Sequence, residues 1–157
     1  MNGKWVGAFI VISALLAGGA IYYLQEYAYY QPVAFTSGAE ITLTALDGKP
    51  EPIPVADLQG IDAASSPLRF RACFTTPLTQ ATLTEAFTVY DKATPLNAPS
   101  WFTCFDAGRI GDALAMGEAV AFLSQADIAP QIDRVVAVFP DGQAFAWHQV
   151  NPDANGD

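Results

Sequence analysis

Hydrophobic and polar positions divide this chain into two unlike parts. Trp5 to Leu24 is a predominantly apolar run with no charged residue in it. As a helix rising 1.5 Å per residue it reaches about 30 Å, the thickness of a bilayer's hydrocarbon core. Lys4 precedes the run. Tyr22, Tyr23, Tyr27, Tyr29 and Tyr30 form an aromatic belt at its far end, matched by Trp5 at the near end; such amphipathic rings suit the headgroup layer. The pattern predicts a transmembrane anchor over 5–24 behind a cytoplasmic tail at 1–4. A cleaved signal peptide is the other reading, with Gly18-Gly19-Ala20 as its small-residue site. The length of the run and its continuation through Leu24 favour a retained anchor.

An aromatic stalk is expected over 25–39, with Pro32 ending the helix near Gln31. The pattern then changes to that of a small globular domain over 40–150. Ile41 to Leu46 alternates apolar and polar and predicts a strand, closed by an Asp47-Gly48 turn. Pro50, Pro52 and Pro54 predict an extended loop, and Val55 to Ile61 a short helical turn. Leu68 to Phe74 predicts a second strand, with Leu68, Phe70, Ala72 and Phe74 on one face and Arg69, Arg71 and Cys73 on the other. Thr76-Pro77 reads as an N-cap and first helical residue, beginning a helix to about Phe87.

A loop follows from Asp91 to Ser100. Asp106 caps a helix to about Met116, with Ile110, Ala113 and Leu114 as its apolar stripe and Gly117 as its left-handed stop. Ala119 to Leu123 predicts a short strand. Arg134 to Phe139 and Gln143 to Val150 flank Pro140-Asp141-Gly142, a hairpin signature. Both hairpin strands are apolar on both faces, which predicts a central position covered on both sides. A disordered tail is expected over 151–157. The fold class is α+β: an N-terminal transmembrane helix, then one small extracytoplasmic domain with a mainly antiparallel sheet and one or two short helices.

Charge narrows the partners. The chain has 157 residues, 16 acidic against seven basic, and a formal net charge of −9. That balance argues against nucleic acid and against an electrostatic hold on anionic lipid. It serves solubility or an acidic docking face. Lys4 on one side of the run and Glu26 on the other place the N-terminus in the cytoplasm and residues 25–157 outside. The expected location is a bacterial inner membrane, crossed once, with a periplasmic C-terminal domain. Ser13, Ala14, Ala17 and Gly18 make small-residue pairs that allow a second helix to pack closely in lipid.

Few residues offer chemistry. Cys73 and Cys104 are the two cysteines. An even count in an oxidising compartment predicts one disulfide, for which the chain-entropy argument gives roughly 3–4 kcal/mol. The rival is thiol chemistry, since Cys73 shares a strand face with Arg69 and Arg71 and Cys104 lies near a helix N-terminus. His148 is the single histidine. With both cysteines and Met116 it completes a soft-donor set of the kind copper(I) takes; on an apolar strand it also fits a packed core residue. Arg69 and Arg71 suit either a partner's carboxylates or a solvated strand face. Trp101, with Phe102, suits either a partner contact or packing over the disulfide. No phosphate loop, nucleophile elbow or zinc-hydrolase motif occurs, and no cofactor is expected.

Tyr22-Tyr23-Leu24-Gln25, Arg71-Ala72-Cys73-Phe74-Thr75-Thr76, Trp101-Phe102-Thr103-Cys104-Phe105-Asp106, Ile132-Asp133-Arg134-Val135-Val136 and Trp147-His148-Gln149 resemble a family of small single-span alphaproteobacterial membrane proteins. Their extracytoplasmic domain has no assigned function. The resemblance brings no catalytic residues. The expected role is a non-catalytic membrane-anchored accessory protein, an assembly factor or minor subunit of an inner-membrane complex, with a protein partner in that membrane. A periplasmic thiol- or copper-handling factor and a small-ligand-binding or sensing domain are the other two readings.

Overall fold

The structure is a computed structural model that describes residues 2–36 and 39–154. Helix α1 spans Gly3–Tyr23 and buries none of its residues. It runs on as a π-helical turn, Leu24–Ala28. Together they form one helix long and apolar enough to cross a membrane. The helix stops short of Pro32 because Gln31–Pro32 (β1) is captured as an edge strand by β4, Ala56–Asp62. Val33 N–H then donates to Gly60 C=O at 2.9 Å.

The domain is an α+β fold. Its other strands are β2 (Thr42–Thr44), β3 (Pro50–Pro52), β5 (Arg71–Thr75), β6 (Val120–Ala129), β7 (Ile132–Val138) and β8 (Gln143–Val150). Six form an antiparallel sheet in the order β1-β4-β5-β8-β7-β6, and β2 and β3 make a separate two-stranded ladder. Helices α2 (Gln80–Ala86) and α3 (Ala107–Ala115) complete it.

The apolar hairpin is central, and its register places Val138 opposite Ala144 and Val135 opposite Trp147. Alternation along β8 sends Ala144 and Ala146 into one core with Ile41, Leu43, Phe74, Leu83 and Phe122. It sends Phe145 and Trp147 into a second core with Phe102, Phe105, Ile110 and Val135. The central strands β7 and β8 are therefore buried on both faces, as the double-sided apolar pattern requires.

Several elements depart from the local pattern. The segment expected to make a helical turn at Val55–Ile61 is strand β4, with a bulge between Ala56 and Gln59 and Asp57 at φ 54°. Pairing with β5 and a close approach decide this: a Cβ on Gly60 would lie 2.7 Å from the Phe35 ring. Helix α2 starts at Thr79, whose hydroxyl accepts from Thr82 N–H at 3.2 Å, and not at Thr76-Pro77. Thr76 ends the pairing with the hairpin turn, its N–H donating to Gly142 C=O at 2.9 Å, and its hydroxyl accepts from Leu78 N–H at 3.3 Å ahead of the helix. Strand β6 runs to Ala129, past the expected end at Leu123, because Ser124 is held by β2 on both sides. Its Oγ donates to Thr42 C=O and its C=O accepts from Thr44 Oγ1.

Pro50 and Pro52 sit on the outer strand of the small ladder, an edge position that tolerates proline. Helix α3 follows its expected caps, Asp106 accepting from Arg109 N–H and Gly117 at φ 71°. The tail expected to be disordered is a turn through Ala154, fixed by Asn151 N–H to Gln131 C=O at 2.8 Å. The rest of that tail, 155–157, lies outside the described residues, as do Met1 of the expected cytoplasmic tail and positions 37–38 of the expected stalk.

Gly142 sits at φ 85°, and a Cβ there would meet Thr76 C=O at 2.7 Å. Gly142→Ala should cost about 1–3 kcal/mol, read as a lower denaturant midpoint with an unchanged slope.

Candidate functional site

The end of α1 and the domain meet in one polar and aromatic junction. The last carbonyls of a helix have no partners within it. Two of them are satisfied from the domain: Trp101 Nε1 donates to Glu26 C=O at 2.5 Å and Arg69 Nη1 to Gln25 C=O at 3.2 Å. The Glu26 carboxylate accepts in return from Ser100 N–H at 3.0 Å. Trp101 stacks on Tyr27 and meets Tyr30 edge-on, and the Arg69 guanidinium lies 5.3 Å above the Tyr30 ring. A cation at a helix C-terminus also opposes the helix dipole. Trp101 and Arg69, two candidates for a partner contact, thus clamp the chain's own helix end.

Arg71 is not on a solvated strand face. It is 3% exposed. Its guanidinium donates to Leu96, Leu68, Phe70 and Asn97 carbonyls at 2.6–2.9 Å and lies over Phe105. Burial lowers its pKa to about 10, which leaves it charged at neutral pH. Its work is to fasten the 91–100 loop over the second core. The Cys73–Cys104 disulfide fastens the same cover, linking β5 to the approach of α3 across a Cα separation of 6.3 Å.

His148 packs on the other face of the sheet from Cys73, stacked on Phe70 at 4.7 Å. Both ring nitrogens are engaged. Nδ1 donates to Pro67 C=O at 2.6 Å, which fixes Nε2 as the acceptor for Arg134 Nε at 3.0 Å. Burial is the main cause of its pKa falling to about 4; the Pro67 carbonyl opposes the shift, and the Arg134 and Arg71 charges add to it. The soft-donor set is not brought together, since His148 and the cysteines lie on opposite faces and Met116 is exposed at the end of α3. Among the described residues no three His, Cys, Asp or Glu side chains converge as a metal set.

Arg134 itself stacks at 4.3 Å on Phe70 and lines a cleft of about 380 Å³ with His148, Asp62, Ser66, Pro67 and Ile128. A second network ties the neighbouring strand ends. Asp133, 2% exposed, accepts from Tyr90 Oη at 2.9 Å and Asp127 N–H at 3.0 Å. Burial, reinforced by Asp133, raises the Tyr90 pKa and keeps the phenol protonated. Gln149 accepts from Trp147 Nε1 and Thr94 N–H and donates to Lys92 C=O. The available signal for these groups was a charged pair, Asp133-Arg134, inside an apolar strand. Ser13, Ala14, Ala17 and Gly18 lie exposed on α1, with open space around Gly18.

These features define a disulfide-bearing α+β domain clamped to the end of an exposed apolar helix. The chain belongs to the family of unknown function DUF6446, whose pattern matches residues 41–156. That match covers the domain from β2 onward. No curated protein and no solved structure matches the chain.

Two outcomes follow from this arrangement. Replacing Cys73 and Cys104 together with Ser should lower stability by about 2–5 kcal/mol, read by denaturant unfolding. For His148 the sign is set by its depressed folded-state pKa. Above about pH 6.5 both states hold a neutral ring. Below it only the unfolded chain takes up the proton, until about pH 4. Stability should fall by about 2 kcal/mol between about pH 6.5 and pH 5, and His148→Phe should flatten that slope.

Proposed function

We propose that this chain is a single-pass protein of a bacterial inner membrane, with its N-terminus in the cytoplasm and its domain in the periplasm. Its role is that of a non-catalytic accessory protein, an assembly factor or minor subunit of a membrane complex. The observation that carries the reading is the junction. α1 keeps its whole surface free while its end is gripped by Trp101 and Arg69. A helix packing against α1 would therefore set the orientation of the domain, and a domain contact would be felt in the span. The Cys73–Cys104 pair supports an oxidising address. The engagement of His148, Arg71 and Asp133 within the fold supports a structural use of those residues.

The contact in the membrane is assigned to Ser13, Ala14, Ala17 and Gly18, where small side chains let two backbones approach. Ala14→Leu with Gly18→Leu should lower recovery of the co-purifying partner by about tenfold, or ~1.4 kcal/mol, without loss of membrane insertion. The measurement is quantitative mass spectrometry after mild-detergent purification. Full recovery with α1 exchanged for an unrelated span would show that the helix is only a tether.

A further inference from the structure

We infer that the cleft between the β4 end and the β6–β7 turn binds a small zwitterion carrying adjacent carboxylate and ammonium groups, a free amino acid. Arg134 is held in place twice over, its Nε donating to His148 Nε2 at 3.0 Å and its Cζ lying 4.3 Å from the Phe70 ring centre. Those contacts leave its Nη groups, the fork that grips carboxylates in two parallel hydrogen bonds, without an acceptor among the described residues.

The choice of acceptor matters. His148 is committed by Pro67 to the tautomer that accepts at Nε2. A neutral imidazole orients the guanidinium without cancelling its charge, whereas a carboxylate in that position would occupy the fork and neutralise it. His148 is a positioning residue for Arg134, two side chains that alternate strand pairing brings face to face. The result is a preorganised anion contact, which lowers the ordering cost of binding.

Asp62 lines the same cleft, half-buried, with one carboxylate oxygen accepting from Ala63 N–H at 2.8 Å. It makes no ion pair with Arg134. Asp62 attracts Arg134 only through space, and two opposite charges that line one cavity without a direct contact match a ligand that carries both signs. The same carboxylate, in a chain of net charge −9, disfavours a phosphate dianion. The remaining wall is small or apolar, with Ser66, Pro67 and Ile128. A volume of about 380 Å³ lies at the lower end of the range for small-molecule sites, roughly 300–1,000 Å³.

The test is a titration of the full chain in detergent micelles, following the Arg134 Nε–Hε resonance by NMR. L-alanine should move it saturably, and acetate should bind about tenfold more weakly because Asp62 then has no ammonium to meet. Asp62→Asn should bring alanine down to the affinity of acetate. Arg134→Gln should abolish both responses, read from the Ala63 and Ser66 amides. Asp62→Asn leaves the Phe70–Arg134–His148 stack untouched, so it decides the matter even if Arg134→Gln fails to fold. Non-saturating shifts with alanine, equal affinities for alanine and acetate, or undiminished alanine binding in Asp62→Asn would overturn the assignment.

Discussion

Strand β8 must be covered on both faces, and most of the architecture answers that demand. Phe145 and Trp147 project to one side, Ala144 and Ala146 to the other, all at 4% exposure or less. The alanines let the β2 ladder and α2 approach closely, so that Leu43, Leu83 and Phe122 fill the space. The large aromatics on the opposite side need a thicker cover, supplied by α3 and the loop before it. That cover contains little regular structure of its own and is held by Arg71 and the Cys73–Cys104 bridge, both rooted in β5. The strand beside β8 thus carries the fastenings for the lid over β8.

Buried polar groups collect at one end of this sheet. Arg71, Asp133, His148 and Gln149 are each at most 5% exposed and each hydrogen-bonded. An unsatisfied polar group in such a place costs about 1–3 kcal/mol. Their partners are mainly loop carbonyls and amides, at Pro67, Lys92, Thr94, Leu96 and Asn97. The side chains therefore act as internal caps that give irregular loops one conformation. Arg134 departs from this rule: it lines the cleft, and its Nη groups have no acceptor among the described residues.

The same end of the sheet receives α1. Gln31 pairs with Asp62 at the close of β4, and Arg69 precedes β5. The helix carbonyls of Gln25 and Glu26 are capped from across the fold, by side chains more than forty residues away in sequence. Such a cap restrains the helix relative to the domain in a way that a flexible linker would not. The π turn places those carbonyls toward Arg69 and Trp101, and Tyr27 and Tyr30 add ring contacts around them.

Where structure depends on neighbours in the chain, the sequence by itself determined it. The apolar length of α1, the capped stripe of α3, the Pro140-Asp141-Gly142 hairpin and the alternation of Phe70, Ala72 and Phe74 against Cys73 are set by spacing and local sterics. The even cysteine count in its context likewise pointed to the bridge that forms. Tertiary structure decided the rest. Val55 to Ile61 carries no clear period, and only pairing with β5 and the Phe35 ring over Gly60 make it a strand. Thr76 has the composition of a cap, but it is tied to the hairpin turn at Gly142 and the helix is capped by Thr79. Arg71 and Trp101 have the composition of surface contacts, and their partners lie 25 and 75 residues away. Hydrogen bonds and ring contacts over such distances leave no periodic trace along the chain, because the chain's own geometry does not impose them. They exist only once the sheet has brought their ends together.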